Sequence, residues 1–192
     1  MAEMVLVVAD GEWPEAKLLE TLLEAAEFTI ALDGAADRFT SWDAVVGDMD
    51  SISNPQDFKG DYNPENTDLA KALMMYEVDA VVGISGGRLD HQLAAYAALF
   101  ETKSDAILYF DDWRACRVGE SGLEIELEKG TICSIMAFGH VAEITLSGVE
   151  FELDCENIFT GTRGVGNTVT EDEVKISHKA GDLLFIWEAN AP

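Results

Sequence analysis

Three features of this sequence predict an α/β protein: an N-terminal parallel-sheet domain followed by a smaller antiparallel β-sandwich domain. First, strand-sized apolar runs alternate with helix-period segments through residues 4–110, the pattern of successive βαβ units. Second, most of these runs end in Asp- or Gly-rich turns, and parallel sheets bind ligands where such loops converge beyond the strand ends. Third, after about residue 113 the texture changes to short alternating segments separated by glycine turns, which reads as antiparallel sheet. The boundary falls between 113 and 114, giving domains 1–113 and 114–192.

In chain order, residues 4–9 (MVLVVA) read as the first strand and 14–26 (PEAKLLETLLEAA) as a helix with Pro14 in its first turn. Residues 28–32, 43–46, 79–84 and 105–110 supply four more strands, and 67–77 and 89–102 two further helices. The β-rich part is read as strands at 123–128, 131–137, 141–146, 149–153, 173–177 and 182–187. Between them, the loop 160–172 (TGTRGVGNTVTED) is glycine-rich and too long for a plain hairpin, which marks it as a binding loop.

The charge narrows the function classes. Among 192 residues, 37 are acidic and 12 basic, for a formal net charge of −25. Such a surface repels nucleic acid and anionic membranes, so neither is an expected partner. The longest apolar runs are strand-sized, and the mean hydropathy is +0.05, so no membrane span is expected. Three widely spaced cysteines, Cys116, Cys133 and Cys155, fit neither a disulfide framework nor a zinc ribbon. They are read as buried apolar residues of a reducing, cytoplasmic protein with no secretory signal. Trp13, Trp42, Trp113 and Trp187 are read as packing residues, and His140 and His178 as surface or core residues.

Four acidic or glycine-rich clusters stand at expected strand ends: DGAADR (33–38), GDMDS (47–51), NTDLAK (66–71) and GGRLDH (86–91). Each has a bland reading: a capped turn for the Asp pair, a helix cap for Thr67-Asp68, an ordinary strand-to-helix turn for Gly86-Gly87. All four at one sheet edge suggest more. Asp48, Asp50 and Asp68 are expected to converge on Mg²⁺, a hard ion that binds through carboxylates and substrate phosphates. The ion would relieve the repulsion between neighbouring aspartates. Lys71 and Arg88 would then face phosphate oxygens, and the backbone N–H groups of Gly86 and Gly87 would add anion-binding capacity. This set suits metal-assisted transfer of a phosphorus group from a nucleotide. His91 is read as an orienting residue at the helix start.

Taken in order, these clusters resemble the thiamin pyrophosphokinase family, whose motifs are DGGA, GD(F/L/M)DS, TDxxKA and GGRxDH. Here they stand as Asp33-Gly34-Ala35-Ala36, Gly47-Asp48-Met49-Asp50-Ser51, Thr67-Asp68-Leu69-Ala70-Lys71-Ala72 and Gly86-Gly87-Arg88-Leu89-Asp90-His91. The resemblance implies that ATP and thiamin react to give AMP and thiamin diphosphate. It implies that Asp48, Asp50 and Asp68 hold Mg²⁺, with Thr67 a further candidate ligand, and that Lys71 and Arg88 bind the ATP phosphates beside Asp33, Gly86 and Gly87. The general base is left open among Asp48, Asp68 and Asp90. Asp90, Phe151 and Asn167 would contact thiamin, and a homodimer would carry its active sites at the interface. Ala35 stands where the family has Gly, and Gly166 where it has Ser. A hydroxymethylpterin therefore remains an alternative acceptor. Two other classes fit part of the pattern: an aspartyl-phosphate phosphatase with Asp48 as nucleophile, and a non-enzymatic acidic metal-binding protein.

Overall fold

A computed structural model describes residues 4–48, 53 and 65–189. The chain divides into two compact units, residues 1–111 and 112–192.

The first unit contains β1 (Val5–Val8), α1 (Ala16–Ala25), β2 (Phe28–Leu32), a 3-10 turn (Asp33–Asp37), β3 (Ala44–Val46), α2 (Asp68–Met75), β4 (Ala80–Val82), α3 (Leu89–Glu101) and β5 (Ile107–Tyr109). Its strands pair in the order β3-β2-β1-β4-β5, all parallel. The chain thus winds outward from β1 to β3, then crosses back to lay β4 on the other side of β1. The strands read as unbroken apolar runs because helices cover both faces of such a sheet. Leu6, Val7 and Val8 are 0 to 1% exposed. Leu6 and Val8 lie opposite Ala80 and Val82, and this face packs against Leu22, Leu18, Leu19 and Leu23 of α1. Those leucines recur at helical spacing, which makes α1 amphipathic. Truncating the buried Leu22 to alanine should cost about 2–5 kcal/mol. Pro14 lies before the N-cap residue Glu15, not in the first turn. Helix α2 packs on β2, β3 and α3.

The second unit contains β6 (Trp113–Arg117), β7 (Leu123–Glu126), β8 (Ile132–Ser147), β9 (Leu153–Phe159), β10 (Asn167–Thr168), β11 (Glu173–Ser177) and β12 (Ala180–Glu188). Every pairing among them is antiparallel. The 16-residue β8 replaces the two strands expected at 131–137 and 141–146. Its first part pairs with β12 and β10, and its last residues pair with β9 and β11. Register shifts accompany the change of partner, and Glu143 in the same stretch has φ 53°. A bulge of this kind bends one strand so that it can serve two sheets. Residues 149–153 do not form the expected strand. Val149 makes a single bridge to Val169, and β9 begins only at Leu153. Strand β6 breaks the apolar alternation with two arginines, yet five backbone pairings to β12 define it. Among the described residues, no helix is long and apolar enough to cross a membrane.

Candidate active site

In the first unit a cleft of about 430 Å³ opens at the carboxyl ends of the strands. Loops after β1, β2 and β4 and the start of α2 and α3 line it, as expected for a sheet that reverses direction between β1 and β4. Asp10, Asp33, Thr67, Asp68, Gly86 and Arg88 are among the lining residues.

Asp33, Asp48 and Asp68 each present an oxygen, and these oxygens all lie within 4.8 Å of one another. Local structure explains the convergence. Asp33 leaves β2 at φ 40° and is 8% exposed; aspartate is one of few residues that tolerates this left-handed conformation. Gly47 ends β3 so closely against it that a Cβ there would lie 2.9 Å from Asp33 Cβ and 3.2 Å from Asp68 Oδ2. Asp68 opens α2 behind Thr67, whose side-chain oxygen accepts the Ala70 N–H at 3.3 Å. A carboxylate in the first turn also lies favourably in the helix dipole.

The cations are already engaged. Lys71, one turn along α2 and 5% exposed, donates from Nζ to Asp68 Oδ1 at 2.9 Å. Arg88 precedes α3, and its Nε and Nη2 donate to the two carboxylate oxygens of Asp90 at 3.1 and 2.6 Å. This fork holds the Asp90 carboxyl well below its usual range, at about 2, and raises the Arg88 guanidinium. Gly86 and Gly87 have φ 69° and 64°; a side chain would be strained at either position. His91 joins the cleft wall.

Among the described residues, two of the three expected metal ligands, Asp48 and Asp68, lie together. Asp33, read only as lining the nucleotide site, completes the cluster with Asp48 and Asp68. Asp50 lies outside the described residues. The sequence reading also missed Asp10-Gly11, although it is a fifth Asp/Gly turn at a strand end and carries the same signal as the other four. Three carboxylate oxygen donors this close together suit a hard divalent cation.

The second unit has a separate cleft of about 560 Å³, lined by Ile135, Phe151, Arg163, Val165 and Asn167, with Glu150 and Glu152 at its edge. Asn167 is 5% exposed. Its Oδ1 accepts from the Phe151 N–H at 3.0 Å, and its Nδ2 donates to the Phe151 carbonyl at 2.9 Å. The amide thus mimics a strand neighbour and fixes the backbone of Phe151, whose ring stays 67% exposed. Arg163 from the 160–172 loop pairs with Glu156. The cysteine reading needs one correction: Cys116 and Cys133 are buried, but Cys155 is exposed. Its φ of 55° lies in an irregular stretch of β9. Trp13, read as plain packing, carries the Arg38 guanidinium 3.8 Å above its ring centre.

Residues 122–183 match the family model described as thiamin pyrophosphokinase, vitamin B1 binding domain. No relative among curated proteins matches the sequence. Among solved structures, thiamine pyrophosphokinase from Bacillus subtilis superposes with a TM-score of 0.78 at 22% identity, covering 98% of this chain and 100% of that one. A thiamin pyrophosphokinase family protein from Enterococcus faecalis gives 0.77 at 20% identity over 98% and 100%. Yeast thiamin pyrophosphokinase gives 0.71 at 13% identity over 97% and 86%. At these identities the superpositions establish a shared fold. Together with the match over residues 122–183, they support assignment of this chain to the thiamin pyrophosphokinase family.

Proposed function

We propose that the protein is a thiamin pyrophosphokinase, moving the pyrophosphoryl group of ATP onto the hydroxyl of thiamin to give thiamin diphosphate and AMP. The observation that carries this reading is the meeting of Asp33, Asp48 and Asp68, with Asp33 and Asp68 lining the strand-end cleft. A carboxylate cluster with one buried and two half-buried members, beside a Gly-Gly-Arg turn, suits a metal-bound triphosphate better than a neutral ligand. The vitamin B1 binding match over residues 122–183 supports thiamin as the acceptor.

In this scheme Asp33, Asp48 and Asp68 would hold Mg²⁺, with Asp50 proposed as a further ligand. The ion would neutralise charge on the triphosphate and fix its orientation. Arg88 and the Gly86 and Gly87 amides would bind phosphate oxygens. That requires the Arg88 fork to be shared between Asp90 and the nucleotide, and a planar guanidinium with five N–H donors can do this. Lys71 keeps the Asp68 carboxylate in place and limits repulsion within the cluster. The thiamin hydroxyl oxygen forms a bond to the β-phosphorus. The bond from that phosphorus to the oxygen bridging to the α-phosphorus breaks, and AMP leaves with the electron pair. The hydroxyl proton passes to a nearby carboxylate, a contribution of about 10²–10⁴-fold. Phe151, held by Asn167, would stack on the acceptor ring. We further propose that the protein works as a cytoplasmic homodimer.

The test is incubation with ATP, Mg²⁺ and thiamin, with a hydroxymethylpterin in parallel. AMP together with thiamin diphosphate is expected. ADP as the nucleotide product, or turnover with the pterin alone, refutes the assignment. Asp68→Asn should abolish turnover, because it removes ligand charge from the cluster; wild-type activity in that variant would remove the metal assignment.

A further inference from the structure

We infer that Arg38 is a positioning residue for the nucleotide cleft, clamping the Asp10–Gly11 loop into its wall; the inference rests on the nucleotide reading of that cleft. Arg38 follows the 3-10 turn that carries Asp33, and although it closes the DGAADR stretch no role has been assigned to it. Three acceptors crowd onto its Nη1: the Asp10 carbonyl at 2.9 Å, the Gly11 carbonyl at 2.6 Å and Asp10 Oδ1 at 3.2 Å. The guanidinium plane is also fixed from a second direction by the Trp13 ring, with Cζ 3.8 Å from the ring centre. Trp13 is itself tied back, its Nε1 donating to the Ala9 carbonyl at 2.8 Å. Its edge meets the Phe39 ring at 5.8 Å.

The opposite side of the loop is held by backbone. Gly11 N donates to Gly83 O at 2.7 Å, and Glu12 N to Ser85 O at 2.6 Å. The fit at Gly11 is so close that a Cβ would lie 2.3 Å from the Gly83 oxygen. The loop after β1 is therefore sewn to the loop after β4 by main-chain bonds and to the turn after β2 by one side chain. Asp10, Gly11, Gly83 and Asp33 all line the cleft, so Arg38 sets the spacing between its walls. It also has an electrostatic role. Without it, two carbonyl oxygens and a carboxylate would lose their cationic partner beside a site for a polyanion, in a chain of net charge −25. Lysine replaces this function poorly, because its compact, strongly hydrated ammonium lacks the flat face that stacks on indole.

The experiment uses the full chain, with Arg38→Ala and Arg38→Lys titrated by calorimetry against a non-hydrolysable ATP analogue plus Mg²⁺, and with KM measured for ATP and for thiamin. Arg38→Ala is expected to weaken analogue binding about tenfold, the scale of one lost charge-assisted clamp. The KM for ATP should rise in step while that for thiamin stays put. Arg38→Lys should recover only a minor part of the loss. Low-millimolar guanidinium chloride should restore Arg38→Ala where equal sodium chloride does not, an effect that a misfolded variant cannot show. Wild-type affinity in Arg38→Ala, or full recovery by lysine, overturns the inference. A wild-type chain that binds the analogue but forms no AMP and thiamin diphosphate refutes the reaction while leaving the Arg38 effect on binding readable. A wild-type chain that binds no analogue overturns both.

Discussion

Replacing Gly47 by alanine adds one methyl group to the acidic cluster, and the structure sets the size of the effect. The new Cβ would lie 2.9 Å from Asp33 Cβ, 3.3 Å from Asp33 Cα and 3.2 Å from Asp68 Oδ2. Carbon atoms prefer roughly 3.5–4.0 Å, so the end of β3 and the turn after β2 must part by about 0.5–1 Å. The two nearest Asp33 atoms cannot swing aside, since they are the root of a buried side chain. Overpacking of this kind costs about 1–3 kcal/mol. At about 2–4 °C per kcal/mol for a chain of this size, the melting temperature should fall by roughly 2–12 °C. The larger effect should be functional, because a 1 Å misplacement of reacting groups can cost about 10²-fold in rate. Thermal melting, Mg²⁺-dependent titration with an ATP analogue, and AMP release measure the three consequences. Gly161→Ala is the control: its Cβ would meet Phe159 O at an ordinary 3.6 Å. Unchanged melting and wild-type AMP release in Gly47→Ala would refute the reasoning.

Asp90 should titrate at about 2 by carboxyl ¹³C NMR and return to about 3.8 in Arg88→Ala; because the folded value is depressed, the pair's contribution is present above pH 3.8 and lost as pH falls through about 2. A wild-type midpoint near 3.8 would deny the fork. Asn167→Ala leaves the half-buried Phe151 backbone N–H and carbonyl without their side-chain partner. It should cost about 1–3 kcal/mol and raise KM for the acceptor more than it lowers kcat; unchanged melting and KM would show that the amide positions nothing. At pH 8 one thiol per chain, Cys155, should react rapidly with a disulfide reagent, and all three after unfolding. Burial pushes the Cys133 thiol up to about 11. That raised value means its contribution is full below pH 9 and lost as pH climbs through about 11. Fast reaction of three native thiols would refute the burial pattern.

Elements driven by local periodicity were legible in the sequence. The leucines of α1 and the unbroken valines of β1 and β4 state their own burial, and glycine turns mark where segments end. Strand β6 was not legible, because Arg114 and Arg117 hide the alternation, and only its pairing to β12 makes it a strand. The division of 131–147 into two strands failed for a related reason. Gly139 looks like a turn locally, but two different partners hold β8 extended on both sides of it. Phe151 was expected inside a strand; its exposure follows from the Asn167 clamp, a contact across 16 residues.

What the amino-acid order determined by itself was chemical inventory: carboxylates, glycines and scarce cations placed at successive strand ends, since turns and strands are written in short-range pattern. What only the tertiary structure decided was which of those groups meet. Asp33, Asp48 and Asp68 come from three separate turns, and their meeting depends on strand order, on the left-handed Asp33 and on the missing Cβ of Gly47. Arg38 likewise reads as one more surface cation until the fold lays it across Trp13 and the Asp10–Gly11 carbonyls. Distances between segments far apart in the chain are set by the packing of the whole sheet, and no local stretch encodes them.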